Sequence, residues 1–186
     1  MIEAELKARL RKPDAVRGAL AARADAEVAT YRDVYYDRPD ESLDRGGREL
    51  RVRSVETGGP ARHLLTFKEP AVDAASGSKP EYETTIGDRS AVDHLLRSLG
   101  FVPLVELTKE CENYRLSAAG RDFLATLVRV PEIEGTFLEV ETMAAESDVD
   151  QALAAVRGLL NELGVSQAEL TAELYTDAVR ATRPGR

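Results

Sequence analysis

Apolar and polar residues alternate along several short segments of the chain, and this period of two is typical of half-buried β-strands. In the segment from Ile2 to Ala8, residues 2, 4, 6 and 8 are apolar while Glu3, Glu5 and Lys7 occupy the other face. The same reading predicts strands at 27–36, 49–55, 62–68, 81–86, 121–130 and 136–142, with one or two more within 101–116. Turns join most of them, so we expect an antiparallel sheet of about eight strands.

A helical period of apolar residues predicts four helices around this sheet. Pro13 suits the first turn of a helix to about residue 24, and Gly100 suits the end of a helix over 88–99. A strongly amphipathic helix is predicted over 149–163, and a capping box at 166–169 predicts a last helix to about 180. We expect residues 69–80 to form a mobile loop and residues 181–186 to form a disordered tail after one α+β domain over 1–180.

The polar faces of the predicted strands carry like charges two residues apart, which point the same way and repel each other. The set comprises Glu3 and Glu5 with Lys7, Arg51 with Arg53, Glu81 with Glu83, Glu139 with Glu141, and the single cations Lys68 and Lys109. A solvated strand face explains any one of these pairs. Their recurrence with both signs favours a closed barrel in which the charges face one another and the apolar faces pack outward against helices.

Such a lumen is expensive to desolvate unless its charges are paired or bind ions. Clustered carboxylates favour hard divalent cations such as Mg²⁺ or Mn²⁺. Lysine and arginine suit phosphate oxygens, which arginine binds in a bidentate manner. The pattern therefore predicts a site for a phosphorylated small molecule together with metal.

Composition narrows the class of protein without changing this picture. The 186 residues suit a single domain, and 43% hydrophobic with 31% charged residues indicate a folded protein. A net charge of −8 argues against a nucleic-acid or membrane partner. The acidic start of the chain and the lack of a long apolar run favour a cytoplasmic location. The single cysteine excludes an internal disulfide, and the oligomeric state, monomer or homodimer, is left open.

Six short motifs, taken in order, resemble those of the CYTH superfamily, the triphosphate tunnel metalloenzymes. They are E-x-E-x-K at 3–7, Y-x-D at 35–37, L-R-x-R at 50–53, L-T-x-K at 65–68, K-x-E-x-E at 79–83 where the family has arginine first, and G-x-F-x-E-V-E at 135–141. The resemblance covers about residues 1–180 and implies a closed eight-stranded antiparallel tunnel with helices packed outside.

The resemblance also implies roles for individual residues. It implies Glu3, Glu5, Glu139 and Glu141 as metal ligands, and Glu3, Glu5 and Lys7 as catalytic. The implied substrate-binding residues are Lys7, Arg51, Arg53, Lys68, Glu81, Glu83 and Lys109.

This sequence departs from the family's pattern at three positions. Cys111 stands where a phosphate-binding arginine is usual, and Val128 stands where an acidic residue is usual. Leu174-Tyr175 replaces a typical Ser-Tyr. Arg129 or Arg121 would compensate for the first two changes if the strand register shifted. A nearby Lys109 would lower the pKa of Cys111, although a packing role is the simpler interpretation.

Three functions agree with these features. The first is metal-dependent hydrolysis of a nucleoside or organic tri- or diphosphate. The second is a class IV adenylyl cyclase reaction, which converts ATP to cyclic AMP and pyrophosphate. The third is a catalytically weak module that binds a phosphorylated ligand, although six glutamates exceed what anion binding alone requires.

Overall fold

The computed structural model describes residues 2–72 and 78–183. The strands are β1 Ile2–Arg9, β2 Ala26–Asp37, β3 Glu49–Glu56, β4 Arg62–Lys68, β5 Lys79–Ile86, β6 Val102–Ala118, β7 Arg121–Arg129 and β8 Phe137–Ala144. The α-helices are α1 Pro13–Ala21, α2 Ser42–Arg45, α3 Arg89–Ser98, α4 Val149–Glu162 and α5 Tyr175–Thr182.

The eight strands close into an antiparallel barrel in the order β1-β5-β4-β3-β2-β6-β7-β8. Strand β1 pairs with β8 along its whole length, from Ile2 opposite Ala144 to Arg9 opposite Phe137. The closing contact of β1 with β5 is much shorter and consists of two pairs, Ile2 with Pro80 and Glu3 with Lys79. The predicted α+β fold with a closed eight-stranded antiparallel barrel is therefore confirmed.

The apolar face of β1 points outward, as the alternation predicted, and packs under a helix. Ala4 and Ala8 are fully buried in a cluster that includes Val156 and Leu160 of α4. A second outer cluster joins Val52 of β3 to Leu96 of α3. The predicted covering of the barrel by the helices at 88–99 and 149–163 is confirmed, and the charged faces are left to the lumen.

Segment 101–116 belongs to one long strand, in agreement with the one or two strands expected there. Other details differ from the sequence-based expectation. The short helix α2, which was not expected, follows the turn at 37–40. The last helix begins at Tyr175, because the capping box at Ser166 caps only a single 3-10 turn. Beyond that turn the chain is extended along β1, where Leu170 pairs with Ala8. The first residues of the predicted tail form the end of α5. Residues 184–186 of that tail and residues 73–77 of the predicted loop lie outside the described residues.

Turn chemistry explains where the two long helices end. Gly100 and Gly164 follow α3 and α4 with φ of 87° and 79°, a left-handed conformation that glycine adopts without strain. In the described part of the chain, no helix has the length and hydropathy needed to cross a membrane.

Candidate functional site

The lumen of the barrel contains a cavity of about 300 Å³. Every residue that the sequence predicted for the site lines it. These residues are Glu3, Glu5, Lys7, Arg51, Arg53, Lys68, Glu81, Glu83, Lys109, Glu139 and Glu141. They come from six strands, and the two-residue period of each strand turns its charged side chains inward.

Three of the four predicted metal ligands form a tight group. Carboxylate oxygens of Glu3, Glu5 and Glu141 lie within 4.8 Å of one another. The register explains this proximity, because Glu5 is directly opposite Glu141 in the β1–β8 pair. Glu139 does not belong to this group, and its carboxylate instead accepts a hydrogen bond of 3.2 Å from Lys109. Three carboxylate oxygens at this separation could hold a divalent cation.

Two of these carboxylates lie where burial and like charges favour the protonated form. Burial, together with the nearby charges of Glu139 and Glu3, raises the pKa of Glu5 to about 7. Burial and the charges of Glu3 and Glu5 also raise the pKa of Glu141 well above its usual range. A bound divalent cation would replace the shared protons and relieve the repulsion.

Glu3 differs from its neighbours because a lysine sits beside it. The Lys68 ammonium lies 2.7 Å from the Glu3 carboxylate and 2.7 Å from Glu81. Burial raises the pKa of Glu3, but the charge and hydrogen bond of Lys68 outweigh burial and lower it to about 2. Lys68 therefore links the carboxylate group to the wall formed by β4 and β5.

A tyrosine from the C-terminal segment separates two of the predicted phosphate contacts. The Tyr175 ring has the Lys7 and Lys109 ammoniums 4.4 and 4.3 Å from its centroid. It also meets the Phe137 ring edge-on at 5.2 Å. Lys7 donates a hydrogen bond to the backbone carbonyl of Glu173. The segment before α5 thus closes part of the lumen and holds Lys7 in place.

The arginine wall is held by an aspartate that the sequence analysis did not assign. Asp33 of β2 accepts two hydrogen bonds of 2.7 Å from Arg53, in the bidentate geometry that fixes a guanidinium plane. Burial raises the pKa of Asp33, but the charges of Arg53 and Arg51 lower it to about 2. Arg51 donates to Thr66 at 3.2 Å, while its Nε is buried with no hydrogen-bond partner among the described residues.

Two of the missed residues had a recognisable signal in the sequence. Asp33 shares the strand face of Tyr31 and Tyr35, and Glu49 precedes Arg51 by two residues on the same face of β3. Glu49 forms an ion pair with Lys79 of β5, which is separated from β3 by one strand, β4, in the barrel wall. The strand period that identified Arg51 and Arg53 would therefore have identified both acids.

The two positions that depart from the family pattern form an apolar corner. Cys111 and Val128 are opposite each other in the β6–β7 pair and belong to one cluster with Phe137 and Tyr175. Burial raises the pKa of Cys111 to about 12 although Lys109 opposes this shift, so the pKa is not lowered. The register does not shift: Arg129 pairs with Glu110 and Arg121 with Asp148, and neither lines the cavity. The missing arginine and aspartate are not replaced by these residues.

Among the described residues, the charges that line the cavity are almost balanced, with seven acidic and eight basic side chains. A polyphosphate brings several further negative charges. Cations held by the carboxylate group could help to neutralise this added charge.

Comparison with known proteins gives a consistent picture of the fold. A family model described as the CYTH domain matches residues 1–175. The adenylate cyclase CyaB of Aeromonas hydrophila is 28% identical over 182 residues, which cover 93% of this chain and 86% of that protein. The PH1819 protein of Pyrococcus horikoshii has a similar structure, with a TM-score of 0.86, 26% identity, and coverage of 97% of this chain and 99% of that one. HpAC1 from Hippeastrum has a TM-score of 0.68 at 18% identity, with coverage of 99% and 97%.

Proposed function

The chain belongs to the CYTH domain family, and from that premise we propose that it is a metal-dependent enzyme that hydrolyses a phosphoanhydride bond. The substrate class we propose is a nucleoside or other organic tri- or diphosphate. The observation that carries the proposal is the arrangement of the lumen, in which a group of three carboxylates faces a wall of lysines and arginines.

Glu3, Glu5 and Glu141 would hold the divalent cation, Mg²⁺ or Mn²⁺. Their close oxygens and the raised pKa of Glu5 and Glu141 fit a group that binds a cation in place of protons. When bound, the ion would supply charge neutralisation at the phosphate oxygens and help to orient the nucleophile. Glu139, which is paired with Lys109, would position that lysine instead of binding metal.

The basic residues would bind and orient the phosphate chain. The buried Nε of Arg51 has no hydrogen-bond partner in the described part of the chain, and a phosphate oxygen would satisfy it. Arg53 is held rigidly by Asp33, so its geometry is set before substrate arrives. Together with Lys7, Lys68 and Lys109, these groups would stabilise charge on the transferred phosphoryl oxygens. A water oxygen would bond to the terminal phosphorus, the anhydride bond would break, and one water proton would be released.

Adenylyl cyclisation is the second candidate, because the similar Aeromonas protein is named an adenylate cyclase. In that reaction the ribose 3′-hydroxyl attacks the α-phosphorus, and pyrophosphate leaves. HpAC1, which shares the fold, is described by a dominant triphosphatase activity. Both outcomes use the same charged tunnel, so the position of the substrate along it would decide between them.

Turnover measurements separate these functions. The protein would be incubated with Mg²⁺ or Mn²⁺ and with ATP, thiamine triphosphate, tripolyphosphate or an organic diphosphate, while phosphate, pyrophosphate and cyclic AMP are quantified. We expect metal-dependent phosphate release. Cyclic AMP with pyrophosphate would establish the cyclase, and ligand binding without any product would establish a binding module. We further propose that the protein acts on this small molecule in the cytoplasm.

A further inference from the structure

Three uncharged polar side chains form a connected stretch of the lumen wall. It consists of Tyr31 on β2, Asn113 on β6 and Thr126 on β7. The Thr126 hydroxyl donates to the Asn113 side-chain oxygen at 3.0 Å, and the Asn113 amide donates to the Tyr31 hydroxyl at 2.9 Å. Tyr31 and Thr126 line the cavity, with Asn113 between them. The chain of hydrogen bonds therefore ends at a hydroxyl on the cavity surface.

The Tyr31 hydroxyl keeps hydrogen-bonding capacity for a ligand. A phenol hydroxyl has one donor and an acceptor, and only its acceptor is used by Asn113 within residues 2–72 and 78–183. Burial raises the pKa of Tyr31, so the hydroxyl stays protonated and its proton stays available at neutral pH. Val55, Leu64 and Leu124 line the same cavity and add apolar surface.

This stretch adjoins the arginine wall. The Arg53 guanidinium lies 4.5 Å from the centroid of the Tyr31 ring, and Val55 is directly opposite Tyr31 in the β2–β3 pair. A molecule whose phosphates meet Arg53 would place its next atoms against Tyr31. Uncharged hydroxyl and amide groups with apolar neighbours cannot neutralise phosphate, but they suit a neutral group with hydrogen-bond acceptors.

From this juxtaposition, and resting on the proposed function, we propose that Tyr31, with Asn113 and Thr126 behind it, binds the uncharged organic part of the substrate. The substrate would be an organic phosphate ester in preference to inorganic polyphosphate. The apolar corner at Cys111 and Val128 adjoins this stretch through Ala29 of β2, which is opposite Cys111. Tyr31 is a binding residue for specificity in this account and takes no part in the chemical step.

The test compares Tyr31→Phe with wild type on ATP, thiamine triphosphate and tripolyphosphate, with Mn²⁺ present. The variant keeps the ring beside Arg53 and removes only the hydroxyl. We expect kcat/KM for at least one organic triphosphate to fall about tenfold, as one lost hydrogen bond predicts, with tripolyphosphate unchanged within about twofold. Thr126→Val should weaken the same organic substrate less. Tyr82→Phe, on an exposed tyrosine of β5, is the matched control.

Each other outcome has a defined meaning. An equal loss for all three compounds, or no loss for any, overturns the proposal. If wild type turns over tripolyphosphate efficiently but turns over none of the organic compounds, the subsite proposal is overturned while the proposed hydrolase activity still stands. If no compound is turned over, the proposed function fails, and the subsite is tested by calorimetric measurement of the binding of the same compounds. A loss of affinity in Tyr31→Phe that is limited to the organic ligands supports the proposed subsite. Any other pattern of affinities refutes it.

Discussion

The carboxylate group and the arginine wall occupy one lumen, yet their charges are arranged in opposite ways. Around Glu5, like charges are crowded together, and burial together with their repulsion raises the pKa of Glu5 to about 7. Around Arg53, the opposite charge of Asp33 is paired at 2.7 Å in bidentate geometry. In the first region the repulsion is not compensated within the group, whereas in the second the Arg53–Asp33 pair is complete before any ligand binds.

This difference separates residues that serve function from residues that serve stability. Removing a carboxylate from a crowded group relieves repulsion, so function should fall while the metal-free fold keeps or gains stability. Removing one partner of a buried ion pair leaves an uncompensated charge, so the fold itself should suffer. Substitutions in the two regions should therefore have opposite signatures.

Glu5→Gln should give the largest change in activity. Losing one oxygen ligand should remove several kcal/mol of metal-dependent stabilisation, roughly a thousandfold in kcat/KM for tripolyphosphate or ATP. The thermal midpoint of the metal-free protein should stay equal or rise. Glu146→Gln, an exposed acid after β8, is the matched control and should change neither quantity. Retained activity in Glu5→Gln would show that the site has been assigned to the wrong residues.

Asp33→Asn should give the largest loss of stability, about 3–5 kcal/mol in the free energy of unfolding, because Arg53 loses its buried partner. The folded-state pKa of Asp33, about 2, lies below the ordinary value of 3.8. Its contribution is therefore fully present above that ordinary value and is lost as the pH falls toward 2.

Urea titrations at several pH values measure this contribution. The difference between wild type and Asp33→Asn should be constant near neutral pH and shrink in acid. Asp25→Asn, at an exposed position before β2, should behave like wild type. A difference that did not shrink in acid would contradict the ion-pair account.

Arg51→Lys should have an intermediate effect that falls mainly on substrate binding. Lysine keeps the charge but lacks the Nε donor that Arg51 presents without a partner. KM should rise about tenfold, as expected when one charge-assisted hydrogen bond is lost, with a smaller change in kcat. Arg11→Lys, at an exposed position after β1, provides the control. An unchanged KM would mean that Arg51 does not contact the phosphates.

Cys111→Ala should have the smallest effect, because the thiol lies in the apolar corner outside both charged regions. We expect a stability loss of about 1–2 kcal/mol and activity within about twofold of wild type. The thiol of the native protein should resist alkylation at pH 8, since burial raises its pKa to about 12. Rapid labelling of the native protein, or a large loss of activity, would place Cys111 in the site.

The sequence predicted the barrel and its lining residues because a two-residue period determines which way each side chain points. Strand β4 begins and ends where the pattern predicted, at Arg62 and Lys68. The ion-pair partners were not predictable, because they depend on the stagger of strands around the barrel. The seam between β1 and β5 places Glu3 beside Lys79, and Lys68 reaches Glu3 from β4.

The position of Tyr175 in the lumen could not be predicted from the sequence either. Local capping signals at Ser166 favoured a continuous helix, but hydrogen bonds to the end of β1 keep the following residues extended, as in the bond from the Thr171 amide to the Lys7 carbonyl. This long-range pairing therefore outweighs the local helix propensity, and it places the Tyr175 ring next to the ammonium groups of Lys7 and Lys109.

The most direct test of the account measures Mn²⁺ binding by electron paramagnetic resonance in wild type and in Glu5→Gln, with tripolyphosphate absent and then present. We predict that wild type binds Mn²⁺ and binds it more tightly with tripolyphosphate, whereas Glu5→Gln loses Mn²⁺ in both conditions and remains folded. Equal Mn²⁺ binding by the two proteins would contradict the claim that the carboxylate group holds the metal.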